Sequence, residues 1–181
     1  MGAQNERSPL SRGITAVIFG CFGLMWFGWG KEAPPGWLSP WLSVGMVVAV
    51  AVGIAGVAVC FRHRTAQAPA RDRVERRRYG VVVGIEFAAI GILAAVLGAT
   101  GHAAFIPVVV AAVVGLHFYP LATVLHDPQL RPLSLVTCVI AVLGLVTGLT
   151  SGVAPSAVIG PGVGVALVGY AALGLGPMIS R

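Results

Sequence analysis

Charged residues are scarce in this sequence. Only 10% of its 181 residues are charged, just six are acidic, and 57% are hydrophobic. An average soluble domain contains about 25% charged residues, and here the few charges are gathered into short segments between long apolar runs. This scarcity excludes an ordinary soluble domain and indicates an integral membrane protein that crosses the bilayer several times.

The sequence also lacks the motifs of many soluble enzymes. It has no G-x-S-x-G nucleophile motif and no Walker motif, and the glycine-rich run Gly160–Gly169 has neither a preceding strand nor a Lys-Ser/Thr ending. The three cysteines form no C-x-x-C pair, and no H-x-x-x-H or E-x-x-H spacing occurs. We therefore expect no metal and no cofactor. The basic residues come without a base-reading module, so we expect no nucleic-acid partner.

Six apolar runs are long enough to be transmembrane helices, each close to the roughly 20 residues that cross a bilayer. They lie near Gly13–Gly30, Pro40–Phe61, Gly80–Thr100, Ala103–Leu125, Leu133–Thr150 and Ala154–Gly176. Backbone polar groups must be satisfied internally in lipid, so these runs are predicted to be helices. The predicted fold is an all-α integral membrane protein, a compact bundle of six transmembrane helices. Residues 13–181 form its single domain, after an N-terminal tail at 1–12.

The basic residues predict the orientation of this bundle. With six spans, eleven of the twelve Lys and Arg residues fall on one side and only Lys31 falls on the other. The positive-inside rule then places both termini in the cytoplasm. We expect the protein to lie in the plasma membrane. Four tryptophans lie around the first external loop and are typical of an aromatic belt at the outer interface: Trp26, Trp29, Trp37 and Trp41.

The one sizeable hydrophilic segment is a basic cytoplasmic loop at 62–79. Seven arginines occur between Arg62 and Arg78, so we expect the loop to set the topology and to contact anionic lipid headgroups. After Ala68-Pro69-Ala70 the loop is predicted to become a short helical extension of span three, on which Asp72 and Arg76 could pair at i,i+4.

Small residues predict how the spans pack. Span three has a small-residue seam, which consists of Gly84, Ala88, Gly91, Ala95 and Gly98 on one helix face. Shorter small-residue pairs occur at Ala49/Gly53, Gly144/Gly148 and Gly160/Gly164. Glu86 is rotated by about 200° from Gly84, and an ionisable side chain is costly to expose to lipid. We therefore expect protein on both faces of span three, which would make it the central helix.

The carboxyl group of Glu86 has a predicted partner on span four. Spans three and four are joined by a tight turn centred near residue 101, and Glu86 and His117 are equidistant from that turn. The two side chains should therefore lie at the same depth, about 9 Å inside the cytoplasmic boundary at 1.5 Å per residue. Pro107 belongs to the first turn of span four, whereas Pro120 should kink it and free a backbone carbonyl.

We predict that Glu86 and His117 belong to a general acid–base site. We expect Glu86 to be neutral for much of the time, because apolar surroundings disfavour a charged carboxyl group. The predicted catalytic residues are Glu86, His117 and Tyr119, and the predicted substrate contacts are Thr123, Tyr170 and Pro120. His126 and Asp127 are predicted to relay protons or, more simply, to cap and solvate the end of span four. A structural reading of Glu86 also stays open, in which it only holds two helices together.

Three classes of function fit this sequence. The one we favour is a membrane-embedded enzyme that performs acid–base chemistry on a lipophilic substrate. An isoprenoid undergoing proton-initiated cyclisation is an example, by analogy of chemistry and with no shared motif. The alternative is a proton-coupled transporter that uses Glu86 and requires a homodimer to complete its pathway. The third is a non-catalytic subunit of a membrane assembly. The expected partners are membrane lipid and a lipophilic small molecule.

Overall fold

A computed structural model describes residues 8–64 and 73–179 of the chain. In these residues it contains six α-helices, and each is long and apolar enough to cross a membrane. The helices are α1 (Pro9–Gly30), α2 (Ser39–Arg62), α3 (Arg73–Ala99), α4 (Ile106–Val124), α5 (Leu130–Thr150) and α6 (Pro155–Ile179), with a 3₁₀ turn at Ala103–Phe105 before α4. The six predicted spans are thus confirmed as helices, and we treat the chain as a multi-pass membrane protein.

The helix ends have local causes in the sequence. The hydroxyl of Ser8 accepts a hydrogen bond from Ser11 N–H, and a proline follows Ser8 at the first position of α1. Pro107 lies in the first turn of α4, as predicted. The turn before α4 and the turn before α6 contain Gly101 and Gly152, which have φ values of 78° and 66° that favour glycine.

The start of α3 confirms the helical extension predicted after the basic loop. This helix begins at Arg73, seven residues before the apolar run itself begins at Gly80. The middle of the loop and the predicted Asp72–Arg76 pair lie outside the residues described with their side chains.

The centre of the bundle is α6, which packs against α1, α2, α4 and α5. Small residues bring it close to α1, because a Cβ placed on Gly160 would lie 2.6 Å from the Cα of Gly30. The pair Gly144/Gly148 also packs against α6, where the side chains of Ile159 and Pro155 lie over the two glycines. Helices that are consecutive in the sequence run antiparallel, so α1 starts and α6 ends at one end of the bundle, which we call the terminal end. The opposite end is the distal end.

The outer surface of the bundle is apolar, as the surface of a helix that faces lipid should be. On α2, for example, Val47, Ile54 and Phe61 are between 65% and 70% exposed. The core, in contrast, is made by the inward faces of α1, α4, α5 and α6.

The prediction that span three is the central helix is wrong. Helix α3 packs chiefly against α4, and no residue between 79 and 99 is buried. A Cβ added at Gly84, Gly91 or Gly98 would meet no described atom within 4 Å, so the small-residue seam faces away from the other described helices. The prediction assumed that Glu86 needs protein on every side, whereas one neighbouring helix and a cavity are enough to enclose its side chain.

Candidate functional site

A cavity of about 370 Å³ lies between α1, α3 and α4, with Leu167 and Tyr170 of α6 at its back. Its volume falls within the range of about 300–1,000 Å³ that is typical of small-molecule sites. Along α1 it extends from Thr15 to Trp29, which corresponds to about 21 Å at 1.5 Å per residue. The cavity therefore runs through most of the height of the bundle.

Aromatic side chains form much of the lining. On α1 they follow one another at steps of three and four residues, which places them on one face of the helix. The eight aromatic residues that line the cavity are Phe19, Phe22, Trp26, Trp29, Tyr79, Phe87, Phe118 and Tyr170. The ring of Phe19 lies 5.3 Å from the ring of Tyr170 and 5.8 Å from that of Phe118, between ring centroids, so α1, α4 and α6 meet in one aromatic cluster.

The cavity opens sideways, between α1 and α3. These two walls belong to different packing pairs, because α1 packs mainly against α2 and α6 while α3 packs against α4. Lining residues on both walls are partly exposed: Ile18 by 42%, Phe22 by 44% and Phe87 by 63%. We infer that the opening of the cavity lies on the apolar side of the bundle, between these two helices.

Glu86 and His117 meet inside this cavity, at the common depth that the sequence predicts. Glu86 Oε2 lies 3.2 Å from His117 Nδ1, and the two side chains are only 13% and 9% exposed. The alignment of the two groups falls outside hydrogen-bond geometry, so within the described chain Nδ1 has no hydrogen-bond partner. The close approach is an ion-pair distance, and no described protein group completes the hydrogen bonding of Nδ1.

A second carboxyl group lines the same cavity nearer the terminal end. Asp127 follows α4 and is 5% exposed. Its Oδ1 accepts a hydrogen bond of 3.2 Å from Gln129 N–H, and its Oδ2 accepts one from the hydroxyl group of Tyr170. Two acid-containing pairs thus face one apolar space, one between α3 and α4 and the other between the α4–α5 turn and α6.

Among Asp, Glu, Lys and Arg, the side chains found in the described lining are all acidic. Glu86 and Asp127 line the cavity, and the described lining residues include no Lys and no Arg. Helix α1 contains one basic residue, Arg12, whose guanidinium donates a hydrogen bond to Gly174 O on α6. Among the described lining side chains, His117 is therefore the one that can become positively charged.

The remaining predicted site residues fall into two groups. Tyr170 and Asp127 line the cavity. In contrast, Tyr119, Pro120 and Thr123 are exposed on the outer side of α4 and are not among the lining residues. His126 is exposed and has a φ of 53° in the turn after α4. The simpler prediction is that His126 and Asp127 are both solvated at the end of span four. His126 is exposed, but the prediction is wrong for Asp127, which points inward and contacts Tyr170.

Sequence reasoning missed the wall that α1 contributes. Trp26 and Trp29 are predicted to belong to an interfacial belt, but they stack on each other with centroids 5.4 Å apart and line the cavity. Trp37 and Trp41 do face outward and are 71% and 68% exposed. The aromatic spacing on α1 was the signal that could have separated the two pairs.

Metal-ligating side chains do not gather at this site. Within residues 8–64 and 73–179 there is no group of three or more His, Cys, Asp or Glu side chains that could hold a metal ion. Cys138, for instance, packs against Gly115 between α4 and α5. No family model matches this sequence, and no curated protein and no solved structure was found to be similar to it.

Proposed function

We propose that the protein is a membrane-embedded enzyme that performs acid–base chemistry on a lipophilic substrate, with Glu86 as the acid. The observation that carries this proposal is the position of the Glu86–His117 pair, which lies inside an aromatic cavity that opens sideways. An acid in such a space can deliver its proton to an alkene or an epoxide with little competition from water.

The proposed reaction is a net isomerisation. Glu86 donates its proton to a double bond of the substrate, and a neighbouring carbon becomes cationic. Attack by a second double bond closes a ring, and the aromatic lining stabilises the moving positive charge. The Glu86 carboxylate then takes a proton from a carbon next to the cation, which restores both the acid and a double bond. His117 acts by holding the carboxyl group in place, and Tyr170 replaces Tyr119 as the hydroxyl group that orients the substrate.

Deuterium transfer tests this proposal directly. The purified protein in phosphatidylcholine nanodiscs is incubated in D₂O with acyclic isoprenoid alcohols, alkenes and epoxides, and the products are analysed by mass spectrometry. We expect a cyclic or rearranged product that carries deuterium, and we expect Glu86→Gln to abolish it. Glu32→Gln is the matched control, because Glu32 is exposed between α1 and α2 and its substitution should leave the product unchanged.

One observation favours the transporter alternative. The cavity runs through most of the height of the bundle, as a substrate pathway would. If the same candidates stay chemically unaltered while proteoliposomes show proton-linked flux that Glu86→Gln removes, the transporter replaces the enzyme. The outward-facing small-residue seam on α3 would then be the proposed contact with a second copy. If the variant lowers only the thermal stability, Glu86 is structural and both proposals fail.

A further inference from the structure

We propose that the cavity is a binding site for hydrophobic amines, whose protonated nitrogen donates hydrogen bonds to Glu86 and His117. This inference goes beyond the proposed enzyme, because it concerns the charge of the ligand and requires no turnover.

The first argument is the charge of the lining. An ionised group that enters an apolar cavity loses its hydration and must find a partner of opposite charge there. The described lining contains the carboxyl group of Glu86, which can pair with a cation, but neither Lys nor Arg for an anion. Within the described lining, an ammonium group can therefore pair with Glu86, whereas a phosphate, sulfate or carboxylate ligand finds no basic side chain other than His117.

The second argument is the unsatisfied nitrogen of His117. The side chain is only 9% exposed, and its Nδ1 has no hydrogen-bond partner within the described chain. In the neutral ring, Nδ1 can be the acceptor while Nε2 has the proton. An ammonium group with two N–H bonds can therefore donate one to Glu86 Oε2 and the other to Nδ1. These two acceptors are 3.2 Å apart, close enough to share one nitrogen at N–H···O distances of about 2.7–3.2 Å.

The two carboxyl groups differ in their availability. Both oxygens of Asp127 already accept a hydrogen bond, one from Gln129 N–H and one from Tyr170. Glu86 has its close contact with His117, and no hydrogen bond to it is found in the part of the chain that the structure describes. Glu86 is therefore the expected partner of the ammonium group.

The aromatic lining suits the rest of such a ligand. Phe118 is close to the His117 ring, with centroids 6.1 Å apart, and Phe87 follows Glu86 on α3. Aromatic rings within about 6 Å of a cation attract it, and the effect grows when water is excluded. The face of α1 from Phe19 to Trp29 offers the apolar surface for an alkyl or aryl body.

Three probes with the same body test the inference. 4-Phenylbutylamine is a cation, 4-phenylbutanol is neutral and 4-phenylbutyrate is an anion at neutral pH. Each is titrated calorimetrically into the protein in phosphatidylcholine nanodiscs, and the signal from empty nanodiscs is subtracted. The ammonium group forms a hydrogen bond to Glu86 that is assisted by its charge, so we expect the amine to bind at least about tenfold more tightly than the alcohol. The anion should bind most weakly.

Substitutions then test whether Glu86 is responsible for the preference for the amine. Glu86→Gln should reduce the preference for the amine over the alcohol to less than about threefold, whereas Glu32→Gln should retain it in full. The alcohol serves as the internal check that the variant is folded, because its affinity should change little. Equal binding of the three probes by the unmodified protein overturns the inference, and so does a Glu86→Gln variant that retains the full preference.

The result of this binding experiment can be distinguished from the result of the deuterium assay for the proposed enzyme. A preference for the amine together with no deuterated product would support the binding site and contradict the enzyme. A deuterated product that depends on Glu86, together with no preference for the amine, would support the enzyme and contradict the binding site.

Discussion

Gly20 should tolerate no side chain, because α1 and α2 are in backbone contact there. A Cβ placed on Gly20 would lie 2.8 Å from Gly53 N, 2.9 Å from Gly53 Cα and 2.9 Å from Ala49 O. All three atoms are backbone, so no side-chain rotation can relieve the overlap. The Gly20→Ala variant must instead move the two helices apart.

The expected cost follows from a comparison with Gly28 on the same helix. A Cβ at Gly28 would meet nothing within 4 Å, so Gly28→Ala should gain the usual helix stabilisation of about 0.5–1 kcal/mol. Gly20→Ala has the same gain, but it also pays for overpacking, which costs typically about 1–3 kcal/mol. The conformational term cancels in the difference between the variants. We therefore expect Gly20→Ala to be about 1–3 kcal/mol less stable than Gly28→Ala.

Reversible unfolding in mixed detergent micelles measures this difference, with helicity followed by circular dichroism. Cysteine crosslinking between α1 and α2 would report whether the helices have separated. If Gly20→Ala proves as stable as Gly28→Ala, then the two backbones are not in contact, and the packing of the α1 wall of the cavity has been wrongly described.

Two further substitutions test contacts near the site. Tyr170→Phe removes a donor from the buried Asp127 carboxyl group and should cost about 1.5–3 kcal/mol of unfolding free energy. Tyr119→Phe, at an exposed position, should cost nothing measurable in the same denaturation assay. Ser134→Ala removes a buried 2.7 Å hydrogen bond to an α4 carbonyl and should cost about 0.6–1 kcal/mol. Thr150→Ala, at the exposed end of α5, is its control, and equal losses would show that the α4–α5 bond contributes nothing.

Composition and spacing are enough to predict the six helices, because lipid leaves an apolar run of this length almost no other structure. They also predict the depth of Glu86 and His117, since counting residues from a tight turn is a purely local operation. The 3.2 Å contact required one more condition, which is that both helices turn these side chains toward each other. Sequence spacing contains no information about that rotation when the opposite faces of a helix are both apolar.

The neighbours of each helix are the part that the sequence did not reveal. Small-residue spacing occurs on α3 and α6 alike, yet Gly160 contacts α1 while Gly91 contacts no described neighbour. The same spacing therefore serves either as a packing face within the chain or as an outer surface. Asp127 was misjudged for a related reason. It follows the end of a helix, where a charge is usually solvated, whereas in the structure it is buried and hydrogen-bonded to Tyr170 on another helix.

The sideways opening of the cavity determines which ligand concentration, in the membrane or in water, governs binding. When the bundle spans a bilayer, acyl chains meet an opening between α1 and α3, where Ile18 and Phe87 line the cavity, and any ligand must displace these chains. Occupancy is then governed by the mole fraction of ligand in the membrane, and the aqueous concentration matters only through partitioning. Diluting the protein into more lipid should weaken apparent binding even when the total ligand in the sample is unchanged.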